Sequence, residues 1–324
     1  MMHMIATKTQ TQPRSILEHM IAHDNLTGQL SAFLLCCKVD ELSPRTIEDY
    51  EGKIGAFIRF CSSSGRETAE EITATCVRLF MLELQKRCSP VSVNCYYRCV
   101  KRFFNWMVAE GMLQDNPMAS IRHPRMPQTI IRPFTAQNIS DMLELCDGAP
   151  DRAIHFIDVR NKAITLMLLD TGLRVSELIN IQVKDIDIDH GTIRVMGKGA
   201  KERVVGIGRK AQKALLKYLL MRKDGLSCLW VNLKRKPLTV RGVRRMFRVL
   251  GERAEFGKEV RCSPHTFRHT FATEAIKNGA NLFEVQSLLG HSTLIMTRRY
   301  AATIDSETAV RNHRAFSPAD NMKL

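Results

Sequence analysis

The sequence predicts a mainly α-helical protein of two domains, with one small antiparallel sheet in the second domain. Three observations support this prediction. A chain of 324 residues is long for a single hydrophobic core. Four prolines within residues 117–133 interrupt a pattern that is otherwise helical. Residues 185–208 change to the alternation of polar and apolar side chains that is typical of strands.

The first domain is predicted to be a helical bundle over residues 26–116, after a short polar tail over residues 1–25. The tail lacks the apolar core of a signal peptide. Ser43 followed by Pro44 marks a helix start, and apolar residues then recur at helical spacing. The same spacing continues through TAEEITATCVRLFMLELQKRC and SVNCYYRCVKRFFNWMVAEGM. With a shorter helix around residues 30–35, the pattern predicts four or five helices.

Residues 117–133 are predicted to form an extended linker, because proline cannot continue a helix. The second domain follows over residues 134–303, and residues 304–324 form a C-terminal tail. The helical stretches TAQNISDMLELC, RNKAITLMLLDTGL and RVSELINI come first. The alternating stretch then predicts three short antiparallel strands, with turns at residues 189–191 and 197–200. Helices return after the strands.

The positive charge of the chain is concentrated in one window. The net charge is +15, and residues 197–250 hold 16 Lys and Arg against two acids, a net +14. A long stretch of one sign favours a polyanion partner, most simply double-stranded DNA. A charged face that serves only solubility is the alternative. The candidate DNA contacts in this window are Lys201, Arg203, Arg241, Arg244, Arg245 and Arg248.

The composition argues against a metal site, a disulfide framework and a membrane span. The ten cysteines include no CxxC pair, so neither a zinc site nor a redox motif is supported. Reduced cysteines are typical of a cytoplasmic protein. No apolar run reaches the ~18 residues that suggest a membrane-spanning helix. We therefore expect a cytoplasmic protein without a bound metal.

The stretch DTGLRVSELINI ends one helix at Gly172 and begins another near Arg174. An arginine at the start of a helix lies beside exposed backbone N–H groups, and both favour an anion. Glu177 follows one turn later and is placed to hold the guanidinium, although an exposed i,i+3 ion pair is the alternative. In MGKGAKERVV, Lys198 lies between two glycines at a hairpin tip. There it either approaches a phosphate or belongs to an ordinary polar turn.

The stretch SPHTFRHTF opens a helix after Pro264. His265 and Arg268 are three residues apart and therefore project from one side of this helix. Because positive charges on the two side chains repel each other, the pair favours an anion between them. His269 is expected on another part of the surface, in a structural role.

The stretch LLGHSTLIMTRRY ends a helix at Gly290 and presents His291 in a turn. Nine residues after the histidine, Tyr300 follows two arginines. Its phenol is either a surface aromatic on a basic helix or a nucleophile. Three other tyrosines sit in apolar helical patterns and are expected to pack in the cores: Tyr96, Tyr97 and Tyr218.

Together these stretches resemble the catalytic domain of the tyrosine recombinases, the phage integrase family. The resemblance covers residues 134–303 and rests on TGLRVSELINI, GKGAKERVV, HTFRHTFAT and LFEVQSLLGHSTLIMTRRY. Residues 26–116 are similar to the core-binding domain of the same family. The residues that match the catalytic positions of the family, in chain order, are Arg174, Lys198, His265, Arg268, His291 and Tyr300.

The resemblance implies cleavage and rejoining of DNA without a metal ion or a cofactor. Tyr300 would attack the scissile phosphate, leaving a 3′-phosphotyrosyl bond and a free 5′-hydroxyl. Lys198 would protonate the departing 5′-oxygen, and His265 would assist proton transfer from the tyrosine. Because the covalent ester keeps the bond energy, rejoining to another strand needs no ATP.

The resemblance assigns the other matched residues to phosphate binding. Arg174 and Arg268 would donate forked hydrogen bonds to the non-bridging oxygens, and His291 would hydrogen-bond the phosphate. Glu177 would support Arg174. Two further arginines would help to hold nearby backbone phosphates: Arg298 and Arg299.

The resemblance leaves the biological role open. Integration and excision of a mobile element is the first interpretation, and resolution of chromosome or plasmid dimers by a Xer-type enzyme is the second. Two other classes remain as alternatives, a DNA-binding regulator without catalysis and a relaxing topoisomerase. The complete set of six residues argues against the regulator, and the modest two-domain chain argues against the topoisomerase.

The resemblance also implies an assembly. Exchange of two duplexes requires four active sites, so we expect a homo-tetramer on paired DNA sites and a monomer in free solution. The short tail before the first helix favours binding of core sites alone. The residues after Tyr300 are expected to dock on a neighbouring protomer, with docking on their own domain as the alternative.

Overall fold

The computed structural model describes residues 25–125, 131–147, 152–197, 202–222 and 224–290. The chain divides into two compact units, residues 1–129 and 130–324. The predicted fold class is confirmed, because the described chain is mainly helical with one three-stranded antiparallel sheet. Among the described residues, no helix is both long enough and apolar enough to span a membrane.

The described part of the first unit contains four helices. They are α1 (Leu26–Val39), α2 (Pro44–Ser62), α3 (Ala74–Arg87) and α4 (Pro90–Ala109). Each helix follows a residue whose side-chain oxygen accepts a hydrogen bond from a backbone N–H of the first turn: Asn25, Ser43, Thr73 and Ser89. Proline occupies the first position of α2 and of α4, where its missing N–H would have no helical partner in any case. The start signal predicted at Ser43 is confirmed.

Aromatic side chains fill the core of the first unit. The rings of Phe57 and Phe80 meet edge to face at 5.2 Å, and those of Phe33 and Phe103 at 5.5 Å. Tyr97 is buried, and its hydroxyl donates to the carbonyl of Ile121 at 2.9 Å. The partly buried Tyr96 packs against the same core. The predicted packing role of both tyrosines is confirmed.

In the described part of the second unit, helices precede and follow a small sheet. Its helices are α5 (Ala136–Glu144), α6 (Arg152–Thr171), α7 (Val175–Asn180), α8 (Arg209–Arg222), α9 (Val240–Arg253), α10 (Pro264–Lys277) and α11 (Leu282–Leu289). Single 3₁₀ turns lie at Val183–Asp185 and Phe256–Lys258. Helix α6 packs against both α8 and α10, so it is central to the unit.

The sheet of the second unit has the predicted three short antiparallel strands. They are β1 (Ile186–Asp187), β2 (Thr192–Met196) and β3 (Glu202–Gly206), in the order β1–β2–β3. Ile193 of β2 pairs with Val205 of β3, and both side chains are buried. Polar or exposed residues alternate with them, as the sequence pattern indicated. Of the connection between β2 and β3, residues 198–201 lie outside the described residues.

The core of the second unit is also built around large aromatic side chains. Tyr218 and Trp230 are fully buried and stack with ring centroids 5.2 Å apart. Phe267 of α10 packs against Phe247 of α9 at 4.6 Å and against Phe134 at 4.7 Å. Helix α10 is therefore fixed on its apolar side, which leaves its polar side chains to form a site. The packing role predicted for Tyr218 is confirmed.

Candidate active site

The site begins at the tight turn between α6 and α7. Helix α6 ends at Thr171, and Gly172 has a backbone φ of +59°. A Cβ atom at this position would lie 2.5 Å from Cδ1 of Phe271 and 2.7 Å from Cδ2 of Leu289. Only glycine allows both the left-handed backbone and this close approach. The turn brings Arg174 to the start of α7, as the sequence predicted.

Glu177 holds Arg174 at two points. Its Oε2 atom accepts a hydrogen bond from the backbone N–H of Arg174 at 2.9 Å, and its Oε1 atom accepts one from Nη1 at 2.8 Å. The side chain of Glu177 is only 4% exposed, whereas that of Arg174 is 34% exposed. The alternative of an exposed surface ion pair is therefore wrong, because the carboxylate is buried.

Arg203 of β3 is the second partner of Glu177. Its Nη1 and Nη2 atoms donate to Oε1 and Oε2 of the carboxylate at 3.0 and 2.8 Å. Burial alone would raise the pKa of Glu177, but hydrogen bonds from Arg203 and Arg174 outweigh that effect and lower the pKa below its ordinary value of 4.5. The carboxylate is thus ionised near neutral pH, as a partner of two guanidinium groups must be.

Arg268 reaches the same region from α10. This helix starts at Pro264, as predicted, and the Oγ atom of Ser263 caps its first turn. The buried guanidinium of Arg268 donates from Nη1 to the carbonyl of Gly172 at 2.9 Å and from Nη2 to the carbonyl of Leu289 at 2.8 Å. Arg268 therefore connects the turn after α6 with the end of α11.

Arg174 donates to the same helix end. Its Nη1 atom lies 3.4 Å from the carbonyl oxygen of Leu289, and its Nη2 atom lies 3.2 Å from that of Gly290. Carbonyls in the last turn of a helix have no partner within the helix and carry the negative end of its dipole. The guanidiniums of Arg174 and Arg268 thus meet at the carbonyl of Leu289. We call Arg174, Arg203 and Arg268 the arginine cluster.

Gly290 ends α11 in the left-handed conformation, with a φ of +62°. The helix end predicted at this glycine is confirmed. A Cβ atom here would lie 3.1 to 3.3 Å from the guanidinium of Arg203, so this side chain packs directly against the helix end. His291 is the next residue in the sequence, and it lies outside the described residues.

The two histidines of α10 differ in their surroundings. His265 lies at the surface, one turn before Arg268. Loss of hydration and the positive charges of Arg268 and Arg261 lower its pKa, so its imidazole is neutral at pH 7 and is able to accept a proton. His269 is buried, so the expectation that it lies on the surface is wrong. Its ring hydrogen-bonds the backbone of Ile131, which agrees with the structural role we predicted.

Helix α9 carries an exposed row of arginines that we call the arginine face: Arg241, Arg244, Arg245 and Arg248. Their spacing places them on one side of the helix, and the opposite side is buried. Among the acids that the structure describes, only Glu252 lies near this face, with its carboxylate 3.9 Å from Nε of Arg248 in an exposed i,i+4 pair. The face therefore presents an excess of positive charge to solvent.

The structure brings four of the predicted site residues together and leaves others to one side. Arg174, Glu177, Arg203 and Arg268 form one hydrogen-bonded group, with His265 one turn from Arg268. Arg203 differs from the open, DNA-facing position that we expected, because its side chain is only 15% exposed. Six predicted residues lie outside the described residues: Lys198, Lys201, His291, Arg298, Arg299 and Tyr300.

Sequence reasoning missed the connection between Arg203 and Glu177, although a signal for it was present. Strand residues two apart share a face, and Val205 of β3 is buried. Arg203 therefore lies on the inward face of its strand, where an arginine needs an internal acceptor. The carbonyls at the end of α11 were also missed, since no side-chain pattern marks a backbone acceptor.

Two family models match the chain. Residues 132–307 match the phage integrase family, and residues 30–112 match its N-terminal SAM-like domain. The chain belongs to the phage integrase family. The match spans Arg174, Arg203 and Arg268, and it also includes Tyr300.

Relatives in sequence cover most of the chain. Tyrosine recombinase XerC of Salmonella typhi is 30% identical over 280 residues, which are 85% of this chain and 91% of the relative. Tyrosine recombinase XerC of Anoxybacillus flavithermus (strain DSM 21510 / WK1) is 32% identical over 287 residues, which are 86% and 93% of the two chains. This chain is therefore a tyrosine recombinase, an enzyme that transfers DNA strands.

Solved structures share the fold of this recombinase. The Tn1549 transposon integrase in complex with a circular intermediate DNA has a TM-score of 0.72 at 19% identity, over 90% of this chain and 100% of that chain. A lambda integrase dimer bound to a core site has a TM-score of 0.70 at 18% identity, over 90% and 81% of the two chains. XerH bound to its difH substrate has a TM-score of 0.68 at 20% identity, over 92% and 86%. At these identities the likeness is one of fold.

Proposed function

We propose that this recombinase cleaves and rejoins double-stranded DNA at specific sites through a 3′-phosphotyrosyl intermediate on Tyr300. The observation that carries the proposal is the meeting of Arg174 and Arg268 at one carbonyl oxygen. Two guanidiniums that share one acceptor are close enough to contact different oxygens of one phosphate. Such donors stabilise the charge that develops on a phosphoryl group during displacement, which is the largest contribution a protein makes to this reaction.

The proposed reaction moves two protons, and side chains of the protein accept one and donate the other. The phenolic oxygen of Tyr300 attacks the phosphorus, and the bond from phosphorus to the 5′-oxygen breaks. The proton of the phenol passes to His265, whose lowered pKa leaves it neutral and able to accept it. Lys198 gives a proton to the departing 5′-oxygen. A 5′-hydroxyl of another strand then reverses these steps and releases Tyr300.

The arginine face of α9 supports DNA as the partner. Four exposed arginines on one side of a helix neutralise backbone phosphates without needing a fixed base sequence. The lambda integrase structure is bound to a core site, and the XerH structure is bound to its difH substrate. We extend this contact set to Lys201, Arg298 and Arg299, which flank the same site in sequence.

Covalent trapping tests the proposed chemistry. A nicked suicide substrate loses a short 5′ fragment after cleavage, so the phosphotyrosyl enzyme cannot be resealed. The wild type should accumulate an adduct that resists SDS, whereas Tyr300→Phe should bind the same DNA with unchanged affinity and form none. An adduct in Tyr300→Phe would contradict the assignment of the nucleophile. A wild type that binds but forms no adduct would support a non-catalytic regulator instead.

For the biological role we propose Xer-type resolution of chromosome or plasmid dimers. The two relatives described above, which align over most of both chains, are named XerC, and this favours the Xer-type role over integration of a mobile element. The likeness to a transposon integrase is one of fold and does not favour a role. Deletion of the gene should cause replicon dimers to accumulate. Unchanged dimer levels, with a DNA segment that no longer moves, would favour the mobile element.

We further propose that the working unit is a homo-tetramer on two DNA sites, because two duplexes contain four strands to be exchanged. Residues after Thr303 are proposed to connect neighbouring protomers. Truncation after Thr303 should leave binding to a half-site intact and abolish cooperative filling of a full site in gel-shift titrations. Equal cooperativity in the two proteins would exclude the tail as the connection.

A further inference from the structure

The carboxylate of Glu177 lies between two arginines and is saturated by them. Each of its oxygens accepts two hydrogen bonds: Oε1 from Nη1 of Arg174 and Nη1 of Arg203, and Oε2 from the backbone of Arg174 and Nη2 of Arg203. Four donors fill the acceptor positions of a carboxylate. Glu177 therefore has one available orientation, and Arg203 supplies half of the hydrogen bonds that fix it.

Arg203 has a third point of attachment, at the end of α11. Its Nε atom donates to the carbonyl of Leu288 at 2.9 Å, and its guanidinium lies against the backbone of Gly290. The carbonyls of the next two residues are the acceptors of Arg174 and Arg268. Arg203 thus contacts both the carboxylate that orients Arg174 and the helix end to which the phosphate-binding arginines donate.

The charge of the group depends on Arg203 as well. Arg174 and Glu177 alone would be a neutral pair, and the buried carboxylate would repel an incoming phosphate. Arg174, Glu177 and Arg203 together carry one positive charge in excess. This charge is available at Arg174, because its side chain is the more exposed of the two arginines. Because this charge is already in place in a site of low dielectric, the site does not have to reorganise when charge develops on the phosphate.

The surroundings of Arg203 do not suit a DNA contact. All three nitrogen atoms of its guanidinium donate to protein acceptors, and two of them donate to a buried carboxylate. The hydrogen bonds described above for Arg268 go instead to neutral backbone carbonyls. Withdrawing it to bind a phosphate would leave Glu177 with two unfilled acceptor positions in a buried site, which is costly. The exposed arginines of α9 carry no such cost.

We propose that Arg203 is a positioning residue of the recombinase, which fixes Arg174 through Glu177 and fixes the end of α11 before the segment that carries His291 and Tyr300. The inference rests on the proposed function, since it assigns Arg174 to the scissile phosphate. It removes Arg203 from the residues expected to contact DNA.

Two substitutions separate positioning from DNA contact. Arg203→Lys keeps the charge but loses the paired hydrogen bonds and the Nε donor, and Arg203→Met removes both charge and donors. The matched control is Arg209→Met, an exposed arginine at the start of α8 in the same basic window. Each protein is titrated with a DNA site at several salt concentrations, and single-turnover cleavage of the nicked suicide substrate is followed at saturating protein.

A positioning role predicts that both Arg203 variants keep the affinity of the wild type within about twofold and leave its salt slope unchanged. The cleavage rate should fall roughly 10- to 100-fold. Arg209→Met should cleave at the wild-type rate. A DNA contact predicts the opposite. Arg203→Met would then lower the salt slope by about 0.9, and Arg203→Lys would cleave nearly as fast as the wild type, because lysine also binds phosphate. That result would overturn the inference.

A loss of folding is distinguished from a loss of positioning by the amplitude of the reaction. A misfolded fraction lowers the final amount of adduct and leaves its rate constant unchanged, whereas a misplaced Arg174 lowers the rate constant at full amplitude. Glu177→Gln gives a second, independent variant. Combining it with Arg203→Met should slow cleavage no more than the stronger single substitution does, and additive losses would contradict coupling through Glu177. A wild type that forms no adduct would instead remove the proposed function itself.

Discussion

The arginine face of α9 and the arginine cluster at the end of α11 belong to the same unit but have opposite surroundings. The four side chains of the face project into solvent from a helix whose other side is buried. In the cluster, Arg174, Arg203 and Arg268 donate to one carboxylate and to the carbonyls that end a helix. The arginine face contributes positive charge, which another cationic side chain of similar length would also supply. The cluster offers fixed geometry, which depends on the planar fork of the guanidinium.

The difference also shows what each arrangement requires from the rest of the fold. An exposed arginine needs only an amphipathic helix, here with Val243, Phe247 and Leu250 on the buried side. A buried arginine needs an acceptor for each donor that it withdraws from water. The cluster meets this requirement with Glu177 and with backbone carbonyls that the turn at Gly172 and the cap at Gly290 bring within reach.

The largest expected effect comes from the cluster. Arg268→Met should lower single-turnover cleavage by about 10³-fold, because the proposed reaction then lacks one of the two guanidiniums assigned to the phosphate. DNA affinity should change by less than about threefold, since a single phosphate contact is one of many. The measurement is cleavage of the nicked substrate at saturating protein. A loss of affinity with an unchanged cleavage rate would show that Arg268 only contributes to DNA binding, as the arginine face is proposed to do. The arginine cluster and the arginine face would then not differ in function.

The next effect concerns the face. Replacing Arg244, Arg245 and Arg248 together by glutamine should lower the slope of log affinity against log salt by about 2 to 3, because each lost phosphate contact is worth about 0.9. Cleavage at saturating protein should stay close to the wild-type rate. The control is Lys277→Gln, an exposed lysine paired with Glu274 at the end of α10. An unchanged slope would mean that the face does not contact DNA.

The smallest effect is on stability in acid. The folded-state pKa of Glu177 is lowered, so its ionised form stabilises the fold above the ordinary pKa of 4.5, and this contribution is lost as the pH falls through the folded-state pKa. Glu177→Gln cannot ionise and should show a shallower loss of the free energy of unfolding below that pH. Urea unfolding at a series of pH values measures the difference. Identical slopes for the two proteins would contradict the saturated carboxylate.

The sequence predicts the local features of the fold well, because they depend on neighbours in the chain. Ser43 and Ser263 predict helix starts, and Gly172 and Gly290 predict helix ends. The alternation of side chains in β2 and β3 predicts a sheet. Each follows from a cap, a positive φ or a period of two. The placement of His265 one turn before Arg268 on the same helix also depends only on neighbours in the chain.

The remaining features depend on contacts between distant parts of the chain. Arg203 and Glu177 are separated by 26 positions, and Arg203 and Leu288 by 85. His269 belongs to a stretch with many polar residues, but it is buried, and its ring hydrogen-bonds the backbone of Ile131. No pattern within one stretch contains such pairs, so an arginine in a basic window was interpreted as a DNA contact. The resemblance to the family assigned catalytic roles to six positions, and Arg203 was not among them, although it lies in the matched stretch GKGAKERVV.

The contrast between the two arginine groups is tested most directly by exchanging arginine for lysine in each, since the charge is then constant. One variant carries lysine at Arg174, Arg203 and Arg268, and the other carries lysine at Arg244, Arg245 and Arg248. Both are compared with the wild type in single-turnover cleavage of the nicked substrate at saturating protein. The exchange in the face should keep the rate within about threefold, and the exchange in the cluster should lower it by about 10³-fold or more. Equal losses in the two variants, or a cluster variant that cleaves at the wild-type rate, would contradict the account.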